Sequence, residues 1–169
     1  MVSPGHTSAR KHIVVGVIAD THDVLRRDAV AALENADLII HAGDIASAKL
    51  LESLQALCST VAVRGNADKG RWAEQLPVTE VVEIGGLYLY VLHDLKTIDL
   101  DPAAAGFRAV ISGHTHTPEI RSNQGVLFFN PGSAGAQRPG LPPPSVGRLF
   151  IEAGDVVPEI IELAVEEEP

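Results

Sequence analysis

Hydrophobic positions along the chain follow two rhythms in succession. Residues 12–19 form a continuous apolar run, a helical stretch is expected over 24–34, and a second apolar run covers 37–41. In residues 47–57, Leu50, Leu51, Leu54 and Leu57 recur at i, i+1, i+4 and i+7, one stripe of a 3.6-residue period, with Ser47 placed to cap the helix. A third short strand is expected at 61–63. Three strands separated by helices predict parallel pairing through right-handed crossovers.

Past Pro77 the rhythm changes to paired strands. Residues 79–84 and 87–92 flank Gly85-Gly86, a strong hairpin signal that opens a second sheet. Residues 110–112 read as a buried strand, 120–122 and 126–129 flank a turn at 123–125, and 147–152 pairs with 156–163 across 153–155, so the C-terminal third is mostly antiparallel. The proline-rich stretch 137–144 (QRPGLPPP) can be neither helix nor central strand; of two readings, a mobile loop near the site and a plain surface connector, the connector is preferred. Residues 1–11 read as a loose polar tail, 12–165 as one domain and 166–169 as a solvated acidic end.

Composition narrows the class. A chain of 169 residues can bury roughly 70% of its unfolded surface in one domain. Its core must be aliphatic, since only four Phe, two Tyr and one Trp occur, which suits a layered α/β protein. A lone cysteine, Cys58, and the lack of a secretory pattern at the N-terminus point to the reducing cytoplasm. The longest apolar runs, such as 87–92, fall far short of the roughly 18 residues of a membrane helix. Thirteen basic against 22 acidic residues give a net charge of −9 with no basic stripe, which argues against duplex nucleic acid but leaves a small anionic substrate open.

Five short segments carry candidate chemistry, each at the C-terminal end of an apolar strand: Asp20-Thr21-His22, Gly43-Asp44, Gly65-Asn66, His93 and Gly113-His114-Thr115-His116. Alone, each has a bland reading as a helix cap, a turn or a packed histidine. Together they fall where the strand ends of an open α/β sheet converge. A spacing of two in Asp20-x-His22 and His114-x-His116 puts both side chains on one side of an extended backbone. The preceding glycines are expected to let the backbone turn sharply and approach a bound ion or phosphate. Two Asp, four His and an Asn suit Mn, Fe, Zn, Co or Ni. Seven donors with one shared carboxylate fill two four-ligand shells, the donor set of a metal pair about 3.5 to 4 Å apart. Two carboxylates offset only half the charge of two divalent ions, so such a centre attracts phosphate and acidifies a bridging water to hydroxide for attack on phosphorus.

This series, Asp-x-His, Gly-Asp, Gly-Asn, His, Gly-His-x-His, followed by Asn130-Pro131-Gly132-Ser133, resembles the calcineurin-like metallophosphoesterases, and within them the small bacterial and archaeal phosphodiesterase branch. The resemblance implies a four-layer α/β/β/α sandwich, two packed mixed sheets flanked by helices, in agreement with the change of rhythm near Pro77. It implies that Asp20, His22 and His116 hold one metal, that Asn66, His93 and His114 hold the other, and that Asp44 bridges them, with manganese the foremost candidate. Asn66, Asp44 and His114 are then expected to carry the reaction, in-line hydrolysis of a small phosphodiester.

Two departures stand out. Larger relatives follow the motif Asn with a proton-donating His, where this chain has Ala67 and then Asp68, so leaving groups stable as anions are expected. The small branch often reads His-Gly-His where this chain has His93-Asp94-Leu95. Asp68, Asp94 and Arg64 are candidates for supporting roles around the ligands; for Arg64 the choice lies between a phosphate oxygen and plain exposure. His41 is expected to be buried beside the ligands rather than among them, and Cys58 to be core. The alternatives are a noncatalytic protein-binding scaffold of the same fold, as in the retromer coat, and a phosphomonoesterase or nucleotidase, against which stands the scarcity of basic groups near the motifs. Homo-oligomerisation is left open.

Overall fold

The computed structural model describes residues 12–165, so the tail expected at 1–11 and the acidic end expected at 166–169 lie outside the described residues. Apolar on both faces, the run Ile13–Ile18 forms β1 at the centre of the first sheet. It pairs in parallel with β2 (Leu38–His41), which pairs in parallel with β3 (Thr60–Ala62). Helices α1 (Arg27–Leu33) and α2 (Ala48–Leu57) make the crossovers. A single helical turn, α3 (Arg71–Glu74), leads out of this half.

The second sheet runs β4 (Thr79–Ile84), β5 (Leu87–Leu92), β6 (Ala109–Ile111), β8 (Val126–Asn130), β7 (Glu119–Asn123). Its middle strands β5, β6 and β8 are parallel and its two edges antiparallel. The closing hairpin, β9 (Ser145–Glu152) and β10 (Asp155–Glu162), returns to the first sheet, where β9 pairs antiparallel with β1. The molecule is thus an α/β protein of two mixed five-stranded sheets flanked by helices.

Three apolar clusters separate the layers. Val15, Val17, Ile40 and Leu149 of the first sheet meet Leu89, Val91, Ile111 and Phe129 of the second. On the outer face of the first sheet, Ile18 and Ile39 pack under Leu33, Leu50 and Leu54 of the helices. The outer face of the second sheet is covered by a 3-10 turn at Leu95–Thr97 and the segment to Phe107. No helix among the described residues is long and apolar enough to cross a membrane.

Several boundaries differ from expectation. Helix α1 starts at Arg27 rather than residue 24, because His22 and Asp23 adopt positive φ (45° and 65°) and the chain stays in a loop pinned by Asp23 N–H to the Ile45 carbonyl at 2.9 Å. Leu57 is 45% exposed, so the buried stripe of α2 ends at Leu54. The two later hairpins turn on two residues, not three: Gln124-Gly125 (φ 50° and 77°) and Ala153-Gly154 (φ 49° and 84°), which matches the twist of the strands they join.

Candidate metal centre

Strands β1, β2 and β3 of one sheet and β5 and β6 of the other all finish at the same seam, and the five segments singled out in the sequence lie just beyond those ends. Asp20, Asp44 and His93 are buried, and His22 and His116 half-buried. The two ligand-bearing loops of the first sheet are bound together by Asp20 N–H to the Gly43 carbonyl and His22 N–H to the Asp44 carbonyl, both 3.0 Å.

The expected extended backbone is not what brings these side chains together. Asp20 (53°), His22 (45°), Asp44 (58°), His114 (72°) and His116 (59°) all have positive φ, in the sparsely populated left-handed region. Tight loops past the strand ends, rather than alternation along a strand, aim the donors inward. Nor do all the glycines serve to turn the chain. Gly65 stays outside that region, and its role is space: a Cβ there would lie 2.1 Å from Asp44 Oδ1.

Donor atoms converge with little hydrogen between them. His93 Nδ1–H donates to the Ala42 carbonyl at 2.7 Å, which turns Nε2 toward Asn66 Oδ1 (3.0 Å), Asp44 Oδ2 (3.3 Å) and Asp20 Oδ1 (3.9 Å). Asp20 Oδ1 also faces His116 Nε2 at 3.4 Å and His22 Nε2 at 4.0 Å, and is the one buried side-chain polar atom without a hydrogen-bond partner among the described residues. Asp44 Oδ2 sits between His93 Nε2 and His22 Nε2, 3.7 Å from the latter. Asn66 Oδ1 meets His114 Nδ1 at 3.1 Å. A proton on one imidazole satisfies one of these oxygens, whereas cations satisfy them all. Two groups, Asp20 with His22 and His116, and Asp20 with Asp44 and His93, have the spacing to hold a metal ion.

Electrostatics agree. Burial pushes the Asp20 carboxyl up to about 7, against the opposing pull of His93. For Asp44, burial also acts upward, but the hydrogen bond with His93 and the Ala67 N–H outweigh it and hold the group below its ordinary value. Burial lowers His22 and His116, and the Arg138 guanidinium lowers both further. Burial acts to lower His93 as well, yet its contacts with Asp44, the Ala42 carbonyl and Asp20 raise it overall.

The supporting residues divide clearly. Asp68 is buried, and its carboxylate accepts from four backbone N–H groups, those of Asp44 (3.0 Å), Ile45, Ala46 and Gly65 (2.8 Å each), tying two ligand loops together. His41 is fully buried; Gly43 N–H donates to its Nδ1 at 3.2 Å, so the ring proton sits on Nε2 and is donated to Thr21 Oγ1 at 3.0 Å. Burial depresses His41 to about 3, so it is neutral. Asp94 accepts from Lys96 N–H at 3.0 Å and stands 3.8 Å from His114 Nε2. Arg64 lines a cavity of about 330 Å³ with Asn66, Asp94 and His114. Cys58, the C-cap of α2, is half-buried.

Sequence reasoning missed or misjudged other parts. Asn130 Nδ2 donates to the Gly113 carbonyl at 2.9 Å, and Ser133 Oγ to the Asp20 carbonyl at 2.9 Å, so the Asn-Pro-Gly-Ser segment buttresses two ligand loops. Residues 137–144 are not a plain connector. They form one wall of a cleft against His116, and they bring Arg138 to it. Basic groups are therefore present on two sides of the site, which corrects the expectation of scarcity.

Residues 13–154 match the model of the calcineurin-like phosphoesterase superfamily domain. A probable metallophosphoesterase of Methanocaldococcus jannaschii is 35% identical over 153 residues, which span 83% of this chain and 77% of that protein. Among solved structures, a novel archaeal phosphodiesterase superposes with a TM-score of 0.74 at 26% identity, over 88% of this chain and 100% of the other. Vacuolar protein sorting 29 of Cryptosporidium parvum gives 0.71 at 19% identity, over 90% and 98%, a likeness of fold alone.

Proposed function

This chain belongs to the calcineurin-like phosphoesterase superfamily, and from that premise we propose that it is a phosphodiesterase dependent on two divalent cations. The observation that carries the proposal is Asp20 Oδ1, buried without a hydrogen-bond partner and faced by the Nε2 atoms of His22, His93 and His116. Asp20, His22 and His116 would hold one cation; Asn66, His93 and His114 would hold the other. Asp44 would serve both, its carboxylate oriented by Ala67 N–H, which donates to Oδ1 at 2.8 Å. When bound, the cations supply Lewis acidity toward the phosphoryl oxygens and toward water. Manganese leads the candidates, with Fe, Zn, Co and Ni behind it.

The chain's own residues position the ester. Asn66 and His114, both exposed at the mouth of the 330 Å³ cavity, orient it, and Arg64 beside them draws in its negative charge. Ala67 has no proton to give, so esters with leaving groups stable as anions are favoured, since general acid catalysis contributes roughly 10² to 10⁴ in rate. A cytoplasmic setting suits the single half-buried Cys58.

Chelation followed by dialysis should abolish hydrolysis of bis(4-nitrophenyl) phosphate, and manganese should restore it as elemental analysis climbs to two ions per chain. A metal-free preparation hydrolysing the diester at the undiminished rate would refute the proposal. Cation uptake without turnover of any activated diester would instead favour a noncatalytic scaffold, and a preference for 4-nitrophenyl phosphate a monoesterase.

A further inference from the structure

The segment joining β8 to β9 leaves the second sheet at Asn130 and enters the first at Ser145. Its neck is closed by Ser145 N–H to the Ser133 carbonyl (2.9 Å) and Ser145 Oγ to the Pro131 carbonyl (2.6 Å). On the site side it is seated on the Asp20 loop, through Ala134 N–H to the Ala19 carbonyl at 2.9 Å. Gly135 lies so close that a Cβ there would come within 2.6 Å of the Thr21 carbonyl oxygen.

Beyond the neck, Arg138-Pro139-Gly140-Leu141 forms a turn closed by Leu141 N–H to the Arg138 carbonyl at 3.2 Å, with Gly140 at φ 77°. Proline second and a positive-φ glycine third is the type II pattern, which restricts the backbone that carries Arg138. The Arg138 side chain is exposed and lines the cleft with His116 and Ser133. Its guanidinium has no hydrogen bond or ion pair among the described residues. No acidic side chain among the described residues forms an ion pair with this guanidinium, which leaves its N–H donors open to an anion in the cleft.

We propose that Arg138 is a substrate-binding residue, its guanidinium taking phosphoryl oxygens of the ester from the His116 side, and that residues 137–144 are a recognition loop. A planar fork of N–H donors suits two phosphoryl oxygens at once, which an ammonium does not match. Arg64 stands on the Asn66 side, so an ester in the site is approached by a cationic side chain from two directions. This inference rests on the phosphoesterase reading of the same site.

Calorimetric titration of the manganese-loaded protein with inorganic phosphate, beside steady-state kinetics on bis(4-nitrophenyl) phosphate, tests it in the wild type, Arg138→Gln and Arg138→Lys. Arg138→Gln should weaken phosphate and raise KM by roughly 10- to 100-fold, the range of a charge-assisted hydrogen bond, with kcat changed far less. Arg138→Lys should fall between. Manganese content and the thermal midpoint of Arg138→Gln should match the wild type, which separates lost recognition from lost folding. Wild-type phosphate affinity and KM in Arg138→Gln would overturn the role of Arg138 while leaving the phosphoesterase standing. A loaded wild type that binds phosphate but turns over no ester would sink the phosphoesterase, with the Arg138 role still decided by the calorimetry. A loaded wild type that neither binds phosphate nor turns over the diester would remove both.

Discussion

An unpaired buried polar atom costs about 1 to 3 kcal/mol, and more when it is charged, so the metal-free fold carries the burden of Asp20 Oδ1. Asparagine at this position keeps an acceptor for His114 N–H, which bonds Asp20 Oδ2 at 3.0 Å, and presents an amide donor to His116 Nε2. Asp20→Asn should therefore raise the metal-free stability in urea unfolding by about 1 to 2 kcal/mol while removing the extra stability that manganese gives the wild type. A variant less stable without metal would show that the carboxylate is not a burden. Positive φ at five of the seven candidate donors is a second cost accepted at this site. Asp68 shows how such loops are held, since its four N–H contacts fix the turns around Asp44 and Gly65 without touching a donor carboxylate.

At the scale of elements, α2 is fixed to the first sheet by Leu50, Leu51 and Leu54, and capped by Ser47 Oγ, which accepts from Leu50 N–H at 3.2 Å. Leu54 is fully buried and Leu57 45% exposed. Leu54→Ala should cost about 2 to 5 kcal/mol in urea unfolding and Leu57→Ala under about 1, although both belong to the same periodic stripe. Equal losses would mean that periodicity and not burial governs the helix. Local signals were the legible ones. Gly85-Gly86, the leucine repeat and the five motifs each lie within a few residues, and they located the parallel and antiparallel strands and the side chains that converge at the seam. Illegible features depended on distant partners. Nothing near Arg138 announces that residues 137–144 return to His116, nothing near Asp68 announces its four donors, and the backbone at His22 is set by pairing with Asp44 and Ile45. Leu57 loses its cover because the helix ends there, which a repeating pattern does not reveal.

For the molecule as a whole, a buried histidine ties stability to pH. His41 joins β2 to the loops of Asp20 and Asp44, and in the fold it stays neutral down to about 3, whereas an unfolded histidine takes its proton near 6.5. Between those values the unfolded chain binds the extra proton, so stability rises with pH; on acidification it is intact above about 6.5 and drains away toward 3. This one group contributes at most about 1.4 kcal/mol per pH unit. The Asp20 carboxyl, raised to about 7 in the fold, acts the other way over the upper part of that range, so the measurement uses chelated Asp20→Asn protein: its urea midpoints should fall steadily across the window, and flat midpoints would show His41 protonated in the fold. The return of β9 to the side of β1 has a different consequence, for biosynthesis. While a ribosome is still making the chain, β1 has β2 on one flank and bare backbone on the other until Ser145 and its neighbours emerge. Bare strand flanks recruit foreign strands, so translation products that stop short of Ser145 should collect as aggregates rather than persist as dissolved fragments.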